Sequence, residues 1–278
     1  VNNFDELTNS DTWTMVDFLV NQHDAEIVAD TLWSLGVVAI EERDHSSNTV
    51  TLRTSMGENP EHSIRAVVTK YPDVKYQTVH VDRAVADTWR EFAEPTWVND
   101  EVALVPAWVT APEDCIPIYV EPLDTFGLGN HPTTLLALEL ALTHVDVASL
   151  VFDLGSGSGV LAVALGKLRN CSVQAYDIAE SSRDALAANA ARNGVATCSW
   201  SDGYPNITVD VVLANILAPV LIQESSEISS AVKNGGLVIL SGMRTEQVEK
   251  VCEAFPVLTE QDRSERDGWT AVVLRKES

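Results

Sequence analysis

The chain has 278 residues, with 41 acidic against 18 basic side chains and a formal net charge of −23. That balance argues against a phosphate-neutralising nucleic-acid surface and leaves a basic protein or a small molecule as the fitting partner, although acidity of this size also serves solubility in a salty medium. Hydrophobic residues make up 45 %, enough for one large packed domain or two smaller ones.

Cys115, Cys171, Cys198 and Cys252 are scattered without a C-x-x-C pair, so reduced thiols and no metal site are expected. The polar start VNNFDELTNSD and the lack of an apolar run of membrane-spanning length predict an untargeted cytoplasmic protein with no membrane contact.

In chain order, Trp13 to Val20 mixes apolar and polar residues as a strand does, and Asp24 reads as the N-cap of a helix that Gly36 ends. Strands are predicted over Val37 to Glu42, Thr49 to Thr54 and Val74 to Val81, with a second helix over Pro60 to Lys70. The order βαββαβ is that of the ferredoxin-like split, a small α+β domain over residues 1–81. His23, His45, His62 and His80 stand singly in it and have no catalytic spacing.

Residues 82–99 read as a linker carrying a short amphipathic helix that Pro95 ends, with Trp89, Phe92 and Trp97 as its docking side. From residue 100 to 278 a second domain begins with a strand pair, Glu101 to Val109 and Cys115 to Val120. FGLGNHPTT then passes through Pro132 into a helical run, as a loop over a ligand would. His131 in that loop could serve as a general base, but beside a proline it reads better as a structural hydrogen-bonder.

After Val151 to Gly159 (VFDLGSGSG), strands alternate with helices until two last strands, Val257 to Gln261 and Trp269 to Arg275, flank the polar turn DRSERDG. The alternation implies a doubly wound, mostly parallel sheet with one antiparallel strand at its end.

The stretch VFDLGSGSG is a buried strand with an acid, Asp153, that ends in Gly155, Gly157 and Gly159 and runs straight into a helix, the place where α/β sheets bind nucleotide-like ligands. Glycine is expected there because any Cβ would hold the ligand off the backbone. The dinucleotide pattern G-x-G-x-x-G would put its third glycine at Val160, so a nicotinamide cofactor fits poorly. Asp177 closes the next strand, where a carboxylate can accept from both hydroxyls of an unmodified ribose.

Together DLGSGSG and AYDIAESS resemble motifs of the class I S-adenosylmethionine-dependent methyltransferases. The fourth strand of the sheet ends in Asn215-Ile216-Leu217-Ala218, which is similar to the Asn-Pro-Pro-Tyr motif of amino-group methyltransferases. By that resemblance the Asn215 carboxamide and the Ile216 carbonyl accept hydrogen bonds from the substrate nitrogen. The alternative is an asparagine that caps the next helix.

Two acceptors aimed at one nitrogen would point its lone pair at the methyl carbon. The amine must be neutral to react. At pH 7 about one lysine in 2,500 is free base, against about one α-amine in ten. Ala218, where the related motif has an aromatic residue, argues for an aliphatic amine over a nucleobase.

The whole chain loosely, and Phe126 to Lys276 closely, resembles the ribosomal protein L11 methyltransferases (PrmA). The resemblance is carried by FGLGNHPTT, DLGSGSGVLAVALGKL, YDIAESSRDALAANAARNGV, ANILA, GGLVILSGM and DGWTAVVLRK. It departs where FGLGNHPTT replaces the usual FGTGTHPTT, at Leu128 and Asn130, and at Ser156, where cysteine is common.

The resemblance implies a Rossmann-like seven-stranded methyltransferase domain behind a substrate-recognition domain, with S-adenosylmethionine as donor and S-adenosylhomocysteine as product. It also implies trimethylation of lysine and N-terminal amines of a large-subunit ribosomal protein. Cofactor contacts fall on Thr134, Gly155, Asp177 and Asn215, beside Asp153, Gly157 and Gly159 of the same loop. A monomer is expected. The competing readings are a lysine methyltransferase acting on another protein, an NAD-dependent oxidoreductase, and a non-catalytic adapter that kept the fold.

Overall fold

The structure is a computed structural model that describes residues 12–35, 37, 40–46, 48–56, 60–82, 93–123, 125 and 128–277. The chain divides into two compact units, Val1–Ala93 and Glu94–Ser278.

The first unit runs β1 (Thr12–Asn21), α1 (Ala25–Ser34), β2 (Ile40–Ser46), β3 (Thr49–Thr54), α2 (Glu61–Lys70) and β4 (Lys75–Asp82). Its sheet has the order β2-β3-β1-β4 with every neighbouring pair antiparallel, the ferredoxin-like arrangement. Alternation along β1 and β3 puts Val16, Phe18, Val20, Val50 and Leu52 on one face, where they pack against Val28 and Leu32 of α1 and Ile64 and Val67 of α2. Asp17, between two of these core residues, therefore points to the other face. There Arg53 donates to both of its oxygens (2.5 and 2.7 Å) and Gln77 to one (3.1 Å), and the Arg53 hydrogen bonds hold the carboxyl below the usual range.

Asp24 stands immediately before α1, as the last residue of a 3₁₀ turn, Gln22–Asp24. One expectation changes in this unit: the second strand begins at Ile40, three residues later than predicted. Gly36 falls outside the described residues, as do 83–92, which carry the expected linker helix with Trp89 and Phe92. Beyond them Thr96–Trp97 forms a short strand, β5, and Trp97 is 44 % exposed instead of docked.

The second unit contains two sheets. In the smaller, β5 pairs antiparallel with β6 (Val102–Pro106), but β6 and β7 (Ile116–Val120) run parallel, Val102 opposite Ile116 and Pro106 opposite Val120. The predicted strand pair is therefore no hairpin, and the chain returns along β6 before it starts β7.

The larger sheet has seven strands in the order β10-β9-β8-β11-β12-β14-β13, built from β8 (Leu150–Leu154), β9 (Ser172–Tyr176), β10 (Cys198–Trp200), β11 (Val209–Asn215), β12 (Val232–Arg244), β13 (Leu258–Arg266) and β14 (Trp269–Lys276). The pairs from β10 to β12 are parallel, and β14 runs antiparallel to both β12 and β13. The reversed strand is thus inserted between β12 and β13 instead of lying at the edge. Most of DRSERDG belongs to β13, and the turn itself is Asp267-Gly268, both with positive φ (53° and 75°), as a tight hairpin requires.

Helices cover both faces: α3 (Pro132–His144), α4 (Val160–Arg169) and α5 (Ser181–Arg192) on one, and α6 (Ala218–Gln223), α7 (Ser225–Ala231) and α8 (Val248–Glu253) on the other. The strands sort their side chains between the two cores. Val151, Leu213 and Ile239 join Leu136, Leu161 and Leu165, whereas Phe152, Val212 and Val238 join Leu221, Ile228 and Val248. Each of these buried apolar side chains contributes roughly 1.5–3 kcal/mol. The sheet reverses its winding between β8 and β11, which opens the ligand crevice of a doubly wound fold at the carboxyl ends of those strands.

Candidate active site

All three loop glycines adopt left-handed backbone conformations, with φ of 74° at Gly155, 51° at Gly157 and 76° at Gly159. The expected reason for glycine, room for a ligand, is not the one the packing gives at two of them. A Cβ on Gly155 would stand 2.2 Å from Ile216 Cγ2, and one on Gly159 would stand 2.6 Å from Leu186 Cδ1, so protein side chains already fill those spaces. Val160, in place of a third dinucleotide glycine, is buried in the α4 core.

The loop is tied to the end of β9. The N–H groups of Gly155 and Ser156 donate to the Tyr176 carbonyl (2.8 and 3.1 Å). Asp177 accepts from Gly157 N–H through Oδ2 (2.8 Å) and from Ala179 N–H through Oδ1 (2.9 Å). Each carboxylate oxygen has a lone pair left for a ligand hydroxyl. The neighbouring Ile178 is 92 % exposed, an apolar surface next to that carboxylate.

Asp153 lies beneath the loop with 1 % of its surface exposed, and neither carboxylate oxygen meets a hydrogen-bond partner. Burial pushes its carboxyl up to about 7. The Ala162 N–H in the first turn of α4 pulls against that shift without closing a hydrogen bond, and the Asp177 charge adds to the rise. A buried acid left unsatisfied in this way is a candidate for contact with a ligand.

Across the crevice, Asn215 ends β11, and its amide nitrogen donates to Thr134 Oγ1 at 3.3 Å. Thr134 is 2 % exposed in the first turn of α3. Asn215 does not cap the following helix: Leu217 holds the N-cap position of α6, and no side chain bonds there. The carboxamide is thus held by the start of α3.

His131 is the N-cap of α3, its Nδ1 accepting from Thr133 N–H (3.3 Å) and bonding Thr133 Oγ1 (2.8 Å), which makes it the structural hydrogen-bonder expected. Its ring meets Trp269 edge-on at 4.9 Å, and Arg244 lies over the Trp269 ring at 4.1 Å. Burial, and secondarily the Arg244 charge, lowers its pKa and so favours the neutral ring. Of the preceding loop, Phe126 and Gly127 lie outside the described residues. Leu128 is half-buried and Asn130 exposed, while a Cβ on Gly129 would stand 2.5 Å from Leu104 Cδ1.

The crevice therefore gathers Asp153, Gly155, Gly157, Gly159 and Asp177 on the β8 and β9 side and Thr134, Asn215 and Ile216 on the β11 side, with Ile216 packed against Gly155. Three supporting residues lie in stretches that carry the family resemblance, but their residue types do not announce their roles. Ser241, fully buried on β12, donates to the Thr133 carbonyl (2.8 Å). Asn189 of α5 donates to the carbonyls of Ser158 (2.9 Å) and Glu121 (2.8 Å) and accepts from Glu121 N–H (2.8 Å). Gly242 approaches the Ile216 backbone. An asparagine in an alanine-rich helix and a glycine at a strand end look like ordinary surface and turn residues. Among the described residues no group of three or more His, Cys, Asp or Glu is placed to hold a metal ion, and all four cysteines are free thiols.

Comparison with known proteins places this site in a family. The family model for ribosomal protein L11 methyltransferase (PrmA) matches residues 64–277. A ribosomal protein L11 methyltransferase of Ralstonia pickettii is 30 % identical over 283 residues, 91 % of this chain and 95 % of that protein. One from Shouchella clausii is 35 % identical over 204 residues, which span 69 % of this chain and 64 % of the relative. The crystal structure of a ribosomal protein L11 methylase from Lactobacillus delbrueckii subsp. bulgaricus superimposes with a TM-score of 0.62 at 29 % identity, covering 67 % of this chain and all of that one. With its glycine loop and crevice, a family model that matches residues 64–277 and a relative that matches over 91 % of the chain, the chain belongs to the ribosomal protein L11 methyltransferase family.

Proposed function

We propose that this chain is an S-adenosylmethionine-dependent protein N-methyltransferase that trimethylates lysine and N-terminal amino groups of ribosomal protein L11. The observation that carries the reading is the Asn215 carboxamide, fixed by Thr134 and set across the crevice from a glycine loop whose buried acid has no protein partner. The bound donor supplies a methyl group on a positively charged sulfur.

The residues fit such a donor. Asp177 presents its remaining lone pairs to a ribose diol, the left-handed turns of Gly155, Gly157 and Gly159 keep the loop narrow, and Asp153 places a carboxyl below it. Asn215 Oδ1 and the Ile216 carbonyl accept from the two N–H groups of a neutral amine, which turns the lone pair toward the donor. The amine gives up its proton to solvent before it attacks. The half-buried site lowers the amine pKa and so raises the small neutral fraction of a lysine. His131, engaged as a cap, takes no part in that transfer.

The unit Val1–Ala93 serves substrate recognition in this proposal, and the acidic chain suits a basic ribosomal protein. Among the described residues no helix is long and apolar enough to cross a membrane. A monomer working in the cytoplasm follows from the same reading.

The test is mass spectrometry of ribosomal proteins incubated with the enzyme and isotope-labelled S-adenosylmethionine. Successive methyl increments on L11 amines are expected, and label confined to a lysine of some other protein would replace L11 as the substrate. Calorimetry separates the cofactors: tighter binding of NAD than of S-adenosylmethionine would end the methyltransferase reading.

A further inference from the structure

Ile216 is held between two glycines, and the two contacts differ in kind. At Gly155 a Cβ would meet a side-chain methyl, Ile216 Cγ2, which rotation about χ1 moves without moving the peptide. At Gly242, on β12, a Cβ would stand 2.3 Å from the Ile216 carbonyl oxygen, 2.8 Å from its carbon and 3.0 Å from its nitrogen. These are backbone atoms, and they move only if the peptide moves.

Gly242 itself has little room to retreat. Its φ of 88° lies in the left-handed region, within the register shift of β12 against β14 between Leu240 and Met243. On one side Ser241 is held by its bond to Thr133 and by Ile216 N–H donating to its carbonyl (3.2 Å). On the other side Met243 is fully buried.

We propose that Gly242 is a positioning residue for methyl transfer, its bare α-carbon setting where the Ile216 carbonyl lies and so the direction of the amine lone pair. The inference rests on the reading of that carbonyl as an acceptor of the substrate nitrogen. Relieving the contact in a variant shifts the carbonyl by about 1 Å, a misplacement that costs about 100-fold in turnover when it reorients a reacting group.

The experiment compares Gly242→Ala with Gly194→Ala. Gly194 has a similar left-handed φ of 68° but open space where its Cβ would go, so it reports backbone strain alone. Gly242→Asn is the second variant, because asparagine tolerates left-handed backbone better than alanine while carrying the same Cβ. Expected are a kcat about 100-fold below wild type for both Gly242 variants, and S-adenosylhomocysteine affinity within about threefold of wild type by calorimetry. A shifted mono-, di- and trimethyl product ratio is also expected, and the Gly194→Ala control should keep wild-type values for all three.

A kcat for the Gly242 variants equal to that of the control overturns the proposal, and so does a parallel loss of donor affinity. If neither Gly242 variant folds while the control does, Gly242 is a folding residue and the positioning role is refuted. Wild-type protein that methylates no amine rejects the acceptor reading, and with it the proposal, an outcome distinct from active wild type with unaffected variants.

Discussion

Asn215 and Thr134 come from opposite parts of the second unit, and one 3.3 Å hydrogen bond joins them. If that bond aims the carboxamide, Thr134→Val should lower kcat about tenfold, Asn215→Ala by two orders of magnitude or more, and the double variant no further than Asn215→Ala alone. Strictly additive losses in a double-mutant cycle would show that the two side chains act separately. Asp153 makes a different prediction. Its folded-state pKa of about 7 lies above the ordinary carboxyl value of about 4. Between those limits the folded protein keeps a proton that the unfolded chain has released. The contribution to stability is therefore full at low pH, falls as pH rises through the window and is lost above about 7. Asp153→Asn keeps the shape without the charge. Its urea midpoint relative to wild type should thus improve between pH 5 and pH 8, and identical pH profiles for the two proteins would show that the carboxyl is already ionised in the fold.

At the level of elements, one buried residue ties the glycine loop to the small sheet. The Asn189 side chain, 1 % exposed, makes three hydrogen bonds to backbone, to Ser158 in the loop and to both backbone groups of Glu121 just after β7, and accepts a fourth from Arg192 (3.3 Å). Four residues on, Asn193 repeats the pattern, bonding the Tyr119 N–H (2.9 Å) and carbonyl (2.7 Å). Helix α5 thus presents two amide side chains to β7 as another strand would present its backbone. Asn189→Ala removes these three bonds to backbone and should cost about 3 kcal/mol in a denaturant titration, whereas a loss below about 1 kcal/mol would mean that water replaces the amide. No periodicity announces such a contact, since an asparagine facing a distant backbone has the spacing of any helix-face residue. The order βαββαβ, the glycine strand, Asp177 and Asn215 were legible because each leaves a local mark: alternation, left-handed turns, or an acid or amide at a strand end. The parallel pairing of β6 with β7 and the insertion of β14 between β12 and β13 were not, because strand direction depends on where the chain returns in space. The break between α6 and α7 at Glu224 leaves no mark for a similar reason, the apolar pattern running on across it.

For the molecule as a whole the controlling quantity is charge. Acidic residues outnumber basic ones in each unit, and a total of −23 disfavours nucleic acid and suits the basic protein substrate proposed above. Exposed charges interact over about 8 Å at physiological ionic strength and over less as salt is added. The encounter with a ribosomal protein should therefore weaken with salt, while a donor bound in the proposed way, by direct hydrogen bonds in the crevice, should be far less affected. Raising sodium chloride from 50 to 300 mM is expected to increase KM for the protein substrate about tenfold or more and to change the donor Kd by less than about twofold. The same series on a short, weakly charged peptide carrying one lysine should show a nearly flat KM. If protein and peptide substrates respond alike, the acidity takes no part in recognition and serves solubility alone, the alternative that composition left open. If the protein KM rises and the peptide KM does not, the charge acts on the encounter and the crevice on the chemistry, and charge-reversing substitutions on the first unit then locate the docking face.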